Sequence, residues 1–263
     1  MDNLTQVLGY GLSGILGAII GSFMNVCIYR MPRSLSIVFP GSHCPNCNAS
    51  IPFYDNIPIL SYVFLKGRCR HCHERISLRY PIVEAMNTVF YLLIYHMSGW
   101  ALSTVVFCIF VSLLIVISFI DLDFRIIPDS LSLSGISLGI LASFFVKEIT
   151  PIQSILGILS GGGFLFLIAF LYEKIMHKEG MGGGDIKLIA MIGAFLGWQG
   201  IPFVILSSSF IGALVGIVFI IVMKKDTKFA IPFGPFLSMG AILYLFFGPS
   251  LIHWYLAIGR VGG

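Results

Sequence analysis

Eight apolar runs decide what this chain can become: residues 6–29, 81–97, 101–120, 128–146, 152–172, 186–198, 202–223 and 229–247. Runs of about 20 apolar residues cross a bilayer as helices. Only 11% of the 263 residues are charged, against about 25% in soluble domains. These features predict an all-α polytopic membrane protein with about eight transmembrane helices. The first run follows Asp2 rather than a basic stretch, so it reads as a retained helix and not as a cleaved signal. A shorter apolar tail, 249–259, reads as interfacial.

Basic residues orient the bundle. With the N-terminus outside, the inner segments collect Arg30, Arg33, Lys66, Arg68, Arg70, Arg75, Arg79, Arg125, Lys174, Lys178, Lys187, Lys224, Lys225 and Lys228. Only Lys147 and Arg260 fall outside, so fourteen of the sixteen Lys and Arg obey the positive-inside bias. Anionic lipid accounts for the net charge of +4, and no nucleic-acid partner is needed. The expected layout is a first transmembrane helix (1–30), a cytosolic module (31–80) and a membrane domain (81–263).

Within the module, "CPNC" and "CRHC" place Cys44 with Cys47 and Cys69 with Cys72, twenty-one residues apart. Two such pairs suit tetrahedral thiolate coordination of zinc, and a module this small gains folding free energy from metal. Two disulfides are the alternative, though rare in the cytosol; His71 or His73 replacing one cysteine is another. Four thiolates leave no open position for water, so the zinc reads as structural. No H-E-x-x-H occurs, which argues against a metalloprotease. Cys27 and Cys108 lie in apolar runs and read as small core residues.

Carboxylates at a membrane border are functional candidates. "FIDLDFRIIPDSL" carries Asp121, Asp123 and Asp129, and "GGGDIKL" carries Asp185 behind Gly182 and Gly184. By the topology above, all four aspartates lie at the cytosolic face, whereas Asp55 reads as an ordinary solvated charge. Each has a plainer reading: Asp185 as a helix cap, Asp129 as a cap or first-turn residue, Asp123 as a partner of Arg125. Asp121 ends an apolar run and is harder to explain so. Two carboxylates held close cannot both ionise; one keeps a proton while the other activates water, as in aspartic proteases. Asp121 and Asp185 are the pair expected to do this. The glycines would admit a substrate backbone and φ angles closed to other residues.

Together, "GSFMNVCIYRMPR", "CPNC", "DNIPILSY", "GRCRHC", "RYPIVE", "DLDFRIIPD" and "GGGDIKL" resemble the bacterial type IV prepilin peptidases, integral-membrane aspartic proteases, over nearly the whole chain. The resemblance implies cleavage of a basic leader from prepilins or pseudopilins after a glycine, at the cytosolic face of the inner membrane. Carried over by motif, the catalytic aspartates are Asp121 and Asp185, with Asp129 positioning. Shorter relatives usually lack an acid matching Asp123, which ranks Asp121 above it. Members with the cysteine module also N-methylate the new terminus using S-adenosylmethionine, so that activity is expected too. No Rossmann-type glycine motif marks the cofactor site; Asn25, Arg30 and Glu84 match family motif positions near the module and are candidates for it or for substrate contact.

A transporter with border carboxylates is the main rival, although transporters show repeated halves and midplane charges. A zinc-bearing adaptor without chemistry is another, and it leaves both aspartate motifs unexplained.

Overall fold

The computed structural model describes residues 3–177, 182–223 and 232–261. Ten α-helices are present among them: α1 (Asn3–Arg30), α2 (Leu60–Phe64), α3 (Arg79–Ser98), α4 (Leu102–Phe124), α5 (Asp129–Ala142), α6 (Pro151–Ile158), α7 (Phe164–Met176), α8 (Gly183–Leu196), α9 (Gly200–Met223) and α10 (Gly234–Val261). A single π-helical turn, Leu159–Gly163, joins α6 to α7. Each apolar run expected from the sequence contains helix among its described residues, though 143–146 lie beyond the end of α5. Four stretches are long and apolar enough to cross a membrane: Asn3–Arg33, Leu102–Phe124, Pro151–Met176 and Gly200–Val222. The outer surface fits that setting, since Leu206, Phe210, Ile217 and Ile221 on α9 stand exposed. The tail 249–259 is not a separate element, because α10 runs through it unbroken. Lys178, Lys224, Lys225 and Lys228, which entered the orientation argument, lie outside the described residues.

The chain falls into two compact units, Met1–Val116 and Ile117–Gly263. In the first, α1 packs lengthwise on α3. The close approach is made by glycine: a Cβ at Gly17 would lie 2.8 Å from Thr88 Cα, and one at Gly21 2.8 Å from Glu84 Cα. Small residues on one helix face let backbones meet where lipid gives helices no hydrophobic reason to associate. Buried polar groups then lock the pair. Asn87 donates to the Gly17 carbonyl at 2.8 Å and accepts from Ser112 at 2.9 Å, and Tyr91 pairs with Ser112 at 3.0 Å.

In the second unit α8 is the hub, touching α5, α6, the π-turn, α9 and α10. Its residues Leu188–Phe195 are all buried. Gly157 on α6 and Gly193 on α8 meet backbone to backbone, so a side chain at either position would strike the other helix's carbonyl. The π-turn lets Gly161 and Gly162 press on Ile189 and Ala190 of α8 in the same way.

Candidate functional site

In the first unit, the four module cysteines converge. Their sulfurs all lie within 4.8 Å of one another, with Cys44 to Cys72 at 3.8 Å and Cys47 to Cys69 at 4.0 Å. A disulfide needs about 2.05 Å, so these are free thiols. A metal held by four sulfurs at about 2.3 Å sets its tetrahedral edges at roughly 3.8 Å, which these separations match. The donor set therefore fits a zinc-like ion. Neither His71 nor His73 joins the group.

The cage is built from two knuckles that repeat one another residue for residue. Cys44 N–H donates to Ala49 and Asn48 N–H to Cys44; Cys69 N–H donates to Glu74 and His73 N–H to Cys69. Asn48 (φ 54°) and His73 (φ 57°) both turn left-handed, and the bridges His43–Ser50 and Arg68–Arg75 close both knuckles. This internal repeat is conformational and invisible as sequence identity. The backbone amides of Cys72 and His71 face Cys69 and pull its thiol down to about 6, which favours the thiolate a metal requires. Asp55 is no solvated charge: its side chain is 6% exposed and forms a two-pronged pair with Arg70 at 2.6 and 2.7 Å. Asn25, Arg30 and Glu84 are buried and line one cavity in this unit.

In the second unit, Asp121 occupies the last turn of α4. It is 5% exposed, whereas Asp123, two residues on, faces out. Arg125 ends the helix in the left-handed region at φ 57°, and the chain turns through Ile127 and Pro128 into α5. The Gly234 amide, first in α10, donates to Asp121 Oδ2 at 3.0 Å. Asp185 is the third residue of α8, and the cap position is taken by Gly182. Asp185 is therefore not the capping residue, and it lies within electrostatic reach of Asp121.

Two helix N-termini thus border the aspartates, α8 carrying Asp185 and α10 donating to Asp121. Helix N-termini favour negative charge. Between them sits Ile127: a Cβ on Gly184 would come 2.9 Å from Ile127 Cβ, and one on Gly234 3.3 Å from Ile127 Cδ1. Gly184 is small because Ile127 packs on it. None of the three glycines before Asp185 adopts a positive φ, so the expected conformational reason for them does not hold. Asp129 opens α5, and its carboxylate pairs with Lys187 of α8 at 2.6 Å.

Reasoning from sequence missed Gly234, Ile127 and Ile59, whose amide donates to Glu84 Oε2 at 2.7 Å. The glycine of "IPFGPF" at a helix start was the available signal for the first of these.

Comparison with known proteins agrees with this architecture. Residues 15–98 match the bacterial Peptidase A24 N-terminal domain, and residues 108–217 the type IV leader peptidase family. A prepilin leader peptidase/N-methyltransferase of Aeromonas salmonicida is 34% identical, with 95% of this chain and 94% of the relative aligned. Proteins of the same name from Legionella pneumophila (33%; 94% of each chain) and Neisseria gonorrhoeae (35%; 93% and 94%) align as fully. No solved structure matches. With both halves matched in order and the likeness extending from end to end, this chain belongs to the type IV leader peptidase family.

Proposed function

We propose that this protein is a membrane aspartic endopeptidase that removes the leader of type IV prepilins or pseudopilins after a glycine, at the cytosolic face of the bacterial inner membrane. The reading rests above all on Asp121, buried at the border of an apolar helix, held by the Gly234 amide and within electrostatic reach of Asp185. Asp121 and Asp185 share one proton. The ionised carboxylate takes a proton from water as its oxygen attacks the scissile carbonyl carbon; the protonated one donates to the carbonyl oxygen. Breakdown returns a proton to the leaving amine, freeing the new N-terminus. Asp129, tied to Lys187, positions α5 against α8. Gly182 and Gly184 leave the start of α8 open and close-packed respectively, and Asp123 supports without reacting.

The new N-terminus is then N-methylated. S-adenosylmethionine, when bound, supplies an electrophilic methyl group; the sulfur keeps the electron pair of the broken bond and the amine loses a proton. Cys44, Cys47, Cys69 and Cys72 hold structural zinc. The layout is a first helix (1–30), a cytosolic zinc module (31–80) and a peptidase domain (81–263), with about eight crossings and the N-terminus outside.

The substrate's own geometry supports a membrane enzyme. An apolar pilin helix stays in the bilayer while its basic leader remains in the cytosol, out of easy reach of a soluble protease. The deciding experiment is cleavage of a synthetic prepilin segment in detergent, with mass spectrometry of the product. A free leader ending in glycine is expected, and an uncut substrate with folded, metal-loaded enzyme overturns the reading.

A further inference from the structure

In the first unit a cavity of about 410 Å³ opens where the end of α1, the cysteine module and the start of α3 meet. That volume lies in the usual range for small-molecule sites, about 300–1,000 Å³. Among the described residues its wall carries one unsettled acceptor. Asn25, 2% exposed, donates from Nδ2 to the carbonyls of Gly21 at 3.3 Å and Tyr80 at 3.1 Å. Both bonds need a donor, so the amide cannot be flipped. That leaves Oδ1 as a buried acceptor with no partner, an arrangement folded proteins avoid.

Glu84 borders the same space, 7% exposed. Its Oε2 accepts from the Ile59 amide at 2.7 Å. Ile59 stands at φ 62°, ψ −50°, a conformation in which a β-branched residue is an outlier. Strain of this kind persists where surrounding structure holds it, often at ligand sites. Tyr29, Tyr62 and Tyr80 add aromatic lining.

Arg30, Arg75 and Arg79 line it as well, so an unpaired acceptor, a buried carboxylate, tyrosine rings and guanidinium groups together suit a flat, amine-bearing ligand that carries both a positive charge and a carboxylate. A divalent cation would need more oxygen ligands than these and would face those arginines. We propose that this cavity is the methyl-donor site, taking the sulfonium nucleoside S-adenosylmethionine. Asn25 Oδ1 receives an N–H of the ligand, and Glu84 both offsets its charge and holds the Ile59 turn. The proposal rests on the methylation reading above.

The test is calorimetry of the full-length, zinc-loaded protein in detergent with S-adenosylmethionine and S-adenosylhomocysteine, beside hydrogen exchange of residues 57–62. Wild type is expected to bind both, with slowed exchange at the Ile59 turn. Asn25→Leu should weaken binding by about tenfold or more, and Val26→Phe, which fills the cavity, should abolish it. Metal content and melting curves show whether each variant folds; if neither does, exchange in the wild type decides. Binding that survives both variants, or that leaves the Ile59 turn unprotected, overturns the cavity assignment and leaves methylation standing. A wild type that neither binds nucleoside nor transfers methyl removes the methylation reading and this proposal together.

Discussion

The Gly234 amide donates to Asp121 Oδ2 at 3.0 Å although 113 residues separate the two in sequence. A Cβ at position 234 would lie 2.6 Å from that same oxygen. Gly234→Ala must therefore move either α10 or the carboxylate. A misplacement of about 1 Å costs on the order of 100-fold in rate. Prepilin cleavage by this variant is expected to fall by roughly that factor in kcat/KM, with metal content unchanged. Wild-type turnover would show that the contact does not position Asp121.

Asp121→Asn and Asp185→Asn are each expected to lose cleavage by at least about 1,000-fold, because either change would end the proton sharing proposed for the pair. Asp123→Asn should stay within about threefold of wild type, since that side chain faces outward. Steady-state rates on one synthetic substrate settle the ranking. A dead Asp123→Asn enzyme with an active Asp121→Asn enzyme reverses it.

Cleavage should also depend on pH in both directions. Two carboxylates sharing one proton titrate in two steps. Adding a second proton removes the base, and removing the shared one removes the acid. A rate profile from roughly pH 4 to 9 should fall on both flanks, and one without a carboxylate limb would count against the pair.

The cysteine cage predicts metal at one ion per chain, lost when Cys44 or Cys72 becomes serine. Because ligating thiols must shed protons, metal affinity should drop as pH falls. Elemental analysis after gel filtration at pH 8 and pH 5 checks both points. Full occupancy in Cys72→Ser would mean that another ligand completes the site.

Asp55 gives the module a separate acid limit. The hydrogen bond from Arg70 holds its carboxyl below the usual range. The unfolded value lies near 4, so the pair's contribution is complete above about pH 4 and fades as pH falls through the lower folded value. Asp55→Asn should remove that step and quicken hydrogen exchange across residues 53–72 at neutral pH. Identical exchange in both proteins would make the pair incidental.

How legible was this in the sequence? Helices betray themselves through unbroken apolar runs, and each of the eight expected segments contains helix among its described residues, although four stretches are long and apolar enough to cross a membrane. Cysteine spacing pointed to the cage because each knuckle is a local turn of a few residues. Asp121 stood out from Asp123 by ending an apolar run, and it is the buried one of the two. Contacts between distant segments were out of reach. Glu84 gave no sign that it would hold the Ile59 amide, nor Asp55 that it would meet Arg70. Gly184 was assigned conformational freedom when its constraint is the Ile127 side chain, which only packing reveals.

The module's position between α1 and α3 has a consequence for how it acquires metal. Those helices are zipped together by Gly17, Gly21 and Asn87, contacts that need no ion and that tether both ends of the module. Much of the loop-closure entropy that a free peptide loses on folding is then already gone. The two knuckles meet at a high effective concentration. The intact protein should hold zinc more tightly, and reload faster after chelation, than a peptide of residues 31–80.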